Sequence, residues 1–415
     1  MATATRRPSQ PGSIGLALAG GGFMGAAYEL GALCALSEAI DGLDLTRLDT
    51  YVGVSAGAFI AAGLVNGVSP HRMVRMFVED DEEDMAFDPA LMLQPAYREW
   101  RRALRAAPVG LGATVGAGIG EALVGPQAAV WRAIERGLRL LPNGLVDGDP
   151  AERKLAHLLS QPGRTNDFRR TRAPLRIVAT DIDSGDPVEF GSPGHDHVPI
   201  SRAAIASSAV PGLFAPVRIG THHYLDGALN KTVHASVALD HGVGLVLCVN
   251  PLVPYDGGHA GARRVSRSGI TTVMAQTIRT AIRSRMSVGL AKYRVTHPAS
   301  DVVLFEPRRD DADTFFTNIF SLSSRRRLCE HAYLSTRADL IARQAALDAV
   351  LRPHGLSINT AVLRHPARRL VREVRTDVPV RLTRGATALD RLRRALDDLD
   401  RALDIAGARQ AGAGS

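Results

Sequence analysis

Gly53-Val-Ser-Ala-Gly57 is a G-x-S-x-G pentapeptide between an apolar run and a run of small residues. A serine hydroxyl in that setting can act as a nucleophile. A tight strand-to-helix turn lifts it into a pocket, and small neighbours clear its approach. Gly20-Gly-Gly-Phe-Met-Gly25 follows another apolar run and opens a helical one. Backbone N–H groups in such a turn converge on an anion, helped by the helix N-terminus. Used together, the clusters suit acyl transfer: Ser55 attacks a carbonyl, and amides hold the oxygen that turns negative. Gly20, Gly22 and Gly25 also match G-x-G-x-x-G, the dinucleotide pattern. That fold wants an acidic residue closing the second strand, where this chain has the serine motif instead. No Gly-Lys-Ser/Thr follows, so a P-loop is excluded.

Tyr224-Leu-Asp-Gly-Ala228 puts Asp226 in a turn just after a strand-like run. Alone, such a turn is most often structural. A conventional α/β-hydrolase would place its serine after several strands and add a late histidine. Here Ser55 follows only the second strand, and His234 and His241 sit in no telling motif. His222 and His223 precede Asp226 and are the alternative bases. They read as surface-loop residues, because nothing in the sequence orients them.

The elements that must carry these residues follow from periodicity. Residues 14–19 read as a short buried strand, stopped by Gly20-Gly-Gly22. Residues 24–40 read as a helix, with Tyr28, Leu30, Leu33, Leu36 and Ile40 toward one side. Residues 49–54 form a second strand and 55–65 a buried helix. Strand, glycine turn and helix, repeated, is the grammar of an α/β domain with a mostly parallel sheet. Further strands are predicted at 175–181, 187–190, 244–250 and 301–306. A helix is predicted over 270–290, where Ile270, Met274, Ile278, Ile282, Met286 and Leu290 recur every four residues. Arg279, Arg283 and Arg285 lie off that stripe and read as a solvated face. The acidic block at 79–84 reads as a solvated helix end or loop. Residues 108–131 are Gly/Ala-rich: a cap over a groove, a segment dipping into a lipid interface, or a buried insertion. Leu389, Leu392, Leu396, Leu399 and Leu403 form a short heptad-like seam, expected to pack on its own domain.

Composition bounds the function classes. The chain has 415 residues, 45% hydrophobic and 22% charged, which excludes a disordered or collagen-like protein. No long charge-free apolar stretch reads as a membrane span. The formal net charge is +8, and only Lys154, Lys231 and Lys292 among 50 basic residues are lysines. That balance permits an anionic lipid surface or nucleic acid. Aromatics at 5% offer little for base stacking, so no nucleic-acid partner is expected. Cys34, Cys248 and Cys329 lie too far apart in sequence for a paired zinc spacing or a disulfide framework. The N-terminal residues lack a signal-peptide pattern, and the expectation is a cytoplasmic protein, peripheral at a membrane.

Five ordered blocks together resemble the patatin-like phospholipase family. They are Gly20-Gly21-Gly22, Gly53-Val-Ser-Ala-Gly57, Ala179-Thr-Asp-Ile-Asp-Ser-Gly185, Ala206-Ser-Ser-Ala-Val-Pro-Gly-Leu-Phe-Ala-Pro216 and Asp226-Gly-Ala228. The resemblance covers roughly residues 14–250. It implies a three-layer α/β/α sandwich with a mostly parallel central sheet, plus a helical insertion and a helical C-terminal extension. It implies a serine acyl hydrolase of lipid esters, phospholipid or neutral lipid, with a Ser55–Asp226 dyad in place of a triad. No metal and no cofactor are implied. The oxyanion hole falls to Gly20, Gly21, Gly22 and Ala56, the elbow to Gly53 and Gly57, and the acyl channel to Pro211 and Phe214. One departure is Met24, where the family commonly carries Arg or Lys. The expected organisation is a catalytic domain at 14–256 with a cap-like insertion at about 80–150. An α/β extension at 257–385, the leucine-seam helix at 386–406, and flexible tails at 1–13 and 407–415 complete it. The substrate partner is a lipid or acyl ester. The competing readings are a catalytically silent lipid-binding or scaffolding protein on the same fold, and a dinucleotide-binding protein.

Overall fold

The computed structural model describes residues 10–79, 94–97, 101, 143–258, 264–316, 322–365 and 369–371. The 108–131 segment, the acidic block beyond Glu79, the leucine seam, residues 1–9 and residues 407–415 fall outside them, whereas residues 10–13, expected in a flexible tail, belong to the first strand. The chain divides into two units, Met1–Leu370 and Val371–Ser415, and the sheet with its flanking helices lies in the first.

Eight strands build the main sheet: β1 (Gln10–Leu18), β2 (Thr50–Gly53), β3 (Leu175–Asp181), β4 (Pro187–Phe190), β5 (Val217–Ile219), β6 (His222–Asp226), β7 (Val243–Val249) and β8 (Asp301–Phe305). Their order is β8-β7-β1-β2-β3-β6-β5, with β4 also paired to β3. From β8 to β3 all pairings are parallel; β4, β5 and β6 are antiparallel additions. Every residue of β2 and β7 is buried, as expected of parallel strands covered on both faces. β1 starts at Gln10, earlier than its apolar run, because the polar Gln10 still pairs with Val243 across an irregularity before Ile14.

The helices that flank the sheet or shape the site are α1 (Gly22–Ala39), α2 (Ala56–Val65), α3 (Pro70–Val74), α4 (Asp149–Leu159), α5 (Ile200–Ser207), α6 (Ala235–Asp240), α7 (Ile270–Thr296), α8 (Leu322–Ala342) and α9 (Gln344–Leu351). Alternation along each strand splits the core into two layers. Ala17, Ala19, Val52, Val54, Val246 and Cys248 meet α6, with Met286 and Tyr293 of α7 packed against them. Leu16 and Leu18, both fully buried, belong to the opposite face, where α2 lies against Leu18. The result is an α/β/α sandwich. Among the described residues, no helix is long and apolar enough to cross a membrane.

Two helices depart from the periodicity reading. α1 is buried on all sides, because α8 covers the side the pattern left open. Gly31 permits that approach: a Cβ there would stand 2.2 Å from the Cys329 carbonyl. In α7, a four-residue repeat drifts by about 40° per step, so its stripe spirals around the helix. Met286 packs on the core, whereas Met274 and Ile278 are 53% and 55% exposed. Arg279 and Arg283 sit half-buried instead of on a solvated face.

Candidate active site

β3 brings the two key side chains together. On one edge, β4 pairs with residues from Ile177 to Thr180. The opposite edge is shared. β2 runs up it and ends with Gly53 beside Ile177, while β6 runs down it and ends with Asp226 beside Ala179. Only Val178 separates the two strand ends. The chain therefore delivers Ser55, two residues past Gly53, and Asp226 to one point from opposite directions.

The elbow is tight because its neighbours are in contact. A Cβ on Gly57 would stand 2.6 Å from Leu18 Cβ and 2.7 Å from the Ala19 carbonyl oxygen. A Cβ on Gly53 would stand 2.6 Å from Ala58 Cα. Both glycines are there for close approach. Ser55 has φ 51° and ψ −120°, and among the described residues it is the one non-glycine with positive φ. That conformation costs on the order of 1–3 kcal/mol and persists only where the surroundings hold it. Here the Ser55 amide donates to Ser207 Oγ at 2.8 Å, and the Ser55 carbonyl accepts from the Ala58 amide at 3.0 Å. Ser207, at the end of α5, donates in turn to the Val178 carbonyl at 2.5 Å. Ser207 falls within the fourth matched block, where no motif gives it a role. A polar residue closing a buried apolar helix is its only signal in the sequence.

The carboxylate of Asp226 is buried, and its Oδ1 accepts the Ala228 amide at 2.8 Å. Its own amide donates to the Ala209 carbonyl at 3.0 Å, which ties β6 to the end of α5. Burial raises its pKa to about 6, against the lowering effects of the Ser55 hydroxyl and the Ala228 amide. The histidines take other places. His222 and His223 are exposed, and His222 is oriented by Asp181 at 2.8 Å, a partner not visible in sequence. His234 is buried near the Gly227 carbonyl at 3.5 Å; burial pushes its pKa down to about 4, so it is neutral at pH 7.

Two helices start at this point, α1 at Gly22 and α2 at Ala56, and their positive ends converge beside Ser55. Among the described residues, the amides of Gly20, Gly21, Gly22 and Ala56 have no protein acceptor. Gly20 lies against the serine: a Cβ there would be 3.1 Å from Ser55 Cβ and 3.3 Å from Ala228 Cβ. Met24 is buried in α1. Also in α1, Glu29 is wholly buried, and that burial holds its pKa well above the usual carboxylate range.

A cavity of about 210 Å³ opens from Ser55. Gly21, Gly22 and Ala56 line its polar end. Phe59, Ile60, Leu155, Leu158, Leu213 and Phe214 are among the side chains that line the rest, which is mostly apolar, with Arg164 and Ser208 as its polar members. Phe214, one of the two residues expected at an acyl channel, lines this cavity. Pro211 does not: it is exposed, and its neighbours Val210 and Leu213 form the wall instead. Leu155 and Leu158 come from α4, whose role no motif announced.

A model of the patatin-like phospholipase family matches residues 16–239, the stretch holding both glycine clusters, Ser55 and Asp226. Among solved structures, the chain is similar to VipD from Legionella pneumophila: 17% identity, TM-score 0.37, covering 80% of this chain and 68% of that one. It is also similar to ExoU, solved with SpcU, from the type III secretion system of Pseudomonas aeruginosa. There the identity is 17% and the TM-score 0.27, over 70% of this chain and 53% of that one. The chain thus spans about half of that ExoU chain. The family match extends over more than half of this chain, and the chain belongs to the patatin-like phospholipase family, a family of lipid acyl hydrolases.

Proposed function

We propose that this protein hydrolyses acyl esters of lipids through Ser55 and Asp226, with no third catalytic side chain. The observation that carries the reading is the buried Asp226 carboxylate held beside the Ser55 hydroxyl where β2 and β6 end on β3, with burial raising the carboxyl pKa to about 6. A carboxylate at its ordinary pKa near 4 is a poor base. Desolvation strengthens it without preventing ionisation at pH 7.

Ser55 Oγ attacks the ester carbonyl carbon while its proton passes to Asp226. The carbonyl electrons move to oxygen, where amides of Gly20, Gly21, Gly22 and Ala56 receive the charge. The tetrahedral species collapses, the C–O bond to the alcohol breaks, and Asp226 returns its proton to the leaving oxygen. Water then attacks the acyl-serine, losing its proton to Asp226, and the acid departs as Ser55 is reprotonated. Each oxyanion donor lost from such a site costs about 2.7–4 kcal/mol of barrier. The apolar cavity suits one acyl chain of the substrate.

A fluorophosphonate probe tests this reading against a silent scaffold and against a dinucleotide-binding protein. Labelling at Ser55, lost in Ser55→Ala and strongly slowed in Asp226→Asn, supports the hydrolase. An unlabelled wild-type serine rejects it.

A further inference from the structure

Helix α7 packs Met286 and Tyr293 on the core, yet it also turns polar side chains inward and leaves large apolar ones exposed. On the inner side, Gln276 accepts the Tyr255 amide at 3.0 Å and donates to the Tyr255 carbonyl at 2.7 Å. Arg279 lies 4.6 Å from the centre of the Phe315 ring, and Arg283 pairs with Glu306 at 3.0 Å. On the outer side, Met274, Ile278, Arg285, Val288, Lys292 and Val295 fall on one line at heptad spacing. Met274 is 53% exposed, Ile278 55%, Val288 68% and Val295 80%. A line that exposes four large apolar side chains, with Arg285 and Lys292 between them, calls for a partner other than water.

Charge decides which partner. The 27 residues of α7 include no Asp or Glu, and Arg285, Lys292 and Arg294 are exposed. A second copy of the helix would set cations against cations. An acidic lipid surface satisfies both features: its headgroups take the cations, and the acyl boundary takes the apolar line. Arg285 also donates to the Leu229 carbonyl at 2.9 Å, three residues beyond Asp226, and Leu229 is itself 45% exposed. We propose that the outer face of α7 docks this protein on an anionic lipid bilayer. The purpose of docking rests on the acyl-hydrolase reading, since it holds the Asp226 edge of the site at the lipid.

Cosedimentation tests the surface, using the full chain with Ser55→Ala so that vesicles stay intact. Sedimentation with phosphatidylcholine vesicles containing phosphatidylglycerol, weakened by salt and absent with phosphatidylcholine alone, is the expected result. Adding Ile278→Asp and Val288→Asp should lower the partition at least about tenfold, and Lys292→Glu should lower it several-fold. Neither change should alter hydrolysis of a soluble short-chain ester when Ser55 is intact, which also certifies the fold. Unchanged sedimentation of these variants overturns the proposal, as does equal binding to neutral vesicles. A wild-type dimer that Ile278→Asp splits, with vesicle binding unaffected, assigns the face to a second copy and also overturns it. Should the wild type fail to cleave the soluble ester, the catalytic reading falls while sedimentation still decides the docking.

Discussion

The backbone of Ser55 hangs on the side chain of Ser207. The amide of one donates to the hydroxyl of the other at 2.8 Å, and that hydroxyl donates on to Val178, the residue between the ends of β2 and β6. One buried hydroxyl thus joins the nucleophile's strained turn to the strand that positions both halves of the site. Ser207→Ala leaves a buried N–H and a buried carbonyl unpaired, each costing about 1–3 kcal/mol. The expected outcome is a lower Tm and a kcat reduced more than KM is raised, measured on a soluble ester. Wild-type kcat in Ser207→Ala would show that the turn holds itself.

Asp226 sets the pH dependence. It must be ionised to take the Ser55 proton, and its pKa is raised to about 6. kcat/KM should rise with pH through about 6 and then level off, with His222→Ala and His223→Ala giving the same curve. A midpoint that moves with either histidine variant contradicts the dyad.

The same carboxylate should cost stability. Its folded pKa lies above its unfolded value, so the native state binds the proton more tightly. Stability therefore falls as pH rises from about 4 to about 6, and the penalty remains in full above that. Asp226→Asn should be inactive yet more stable above pH 6, by up to about 3 kcal/mol, with the gain vanishing below about pH 4. Denaturant unfolding at about pH 4 and about pH 8 checks the sign.

Gly57→Ala should damage the elbow. Its Cβ would enter the space of Leu18 Cβ and the Ala19 carbonyl at 2.6 and 2.7 Å, and backbone cannot yield cheaply. A loss of about 1–3 kcal/mol of stability is expected, together with most fluorophosphonate labelling. Full labelling would mean that the turn relaxes.

The cavity sets the chain-length preference. Ala26 lies in its wall, and Ala26→Phe takes up part of its space. Hydrolysis should shift toward shorter acyl groups, with acetyl esters least affected. An unchanged chain-length profile across a series of nitrophenyl esters places the acyl chain elsewhere.

What local order encodes was legible in the residues themselves. Strand, glycine turn and small-residue helix announced the parallel sheet, and G-x-S-x-G marked Ser55, because strand periodicity and the steric demands of a tight turn act over a few positions. Asp226 read alone as an ordinary turn; only the family resemblance paired it with Ser55. The meeting itself belongs to the tertiary structure. It depends on β2 and β6 ending head to head on one edge of β3, a register that pairs residues of β2 and β3 more than a hundred positions apart. The apolar wall from α4, the tether from Ser207 and the outward stripe of α7 were hidden for the same reason. Burial, and the pKa of a buried carboxylate with it, is a property of which surfaces meet, and spacing along the chain does not contain that information.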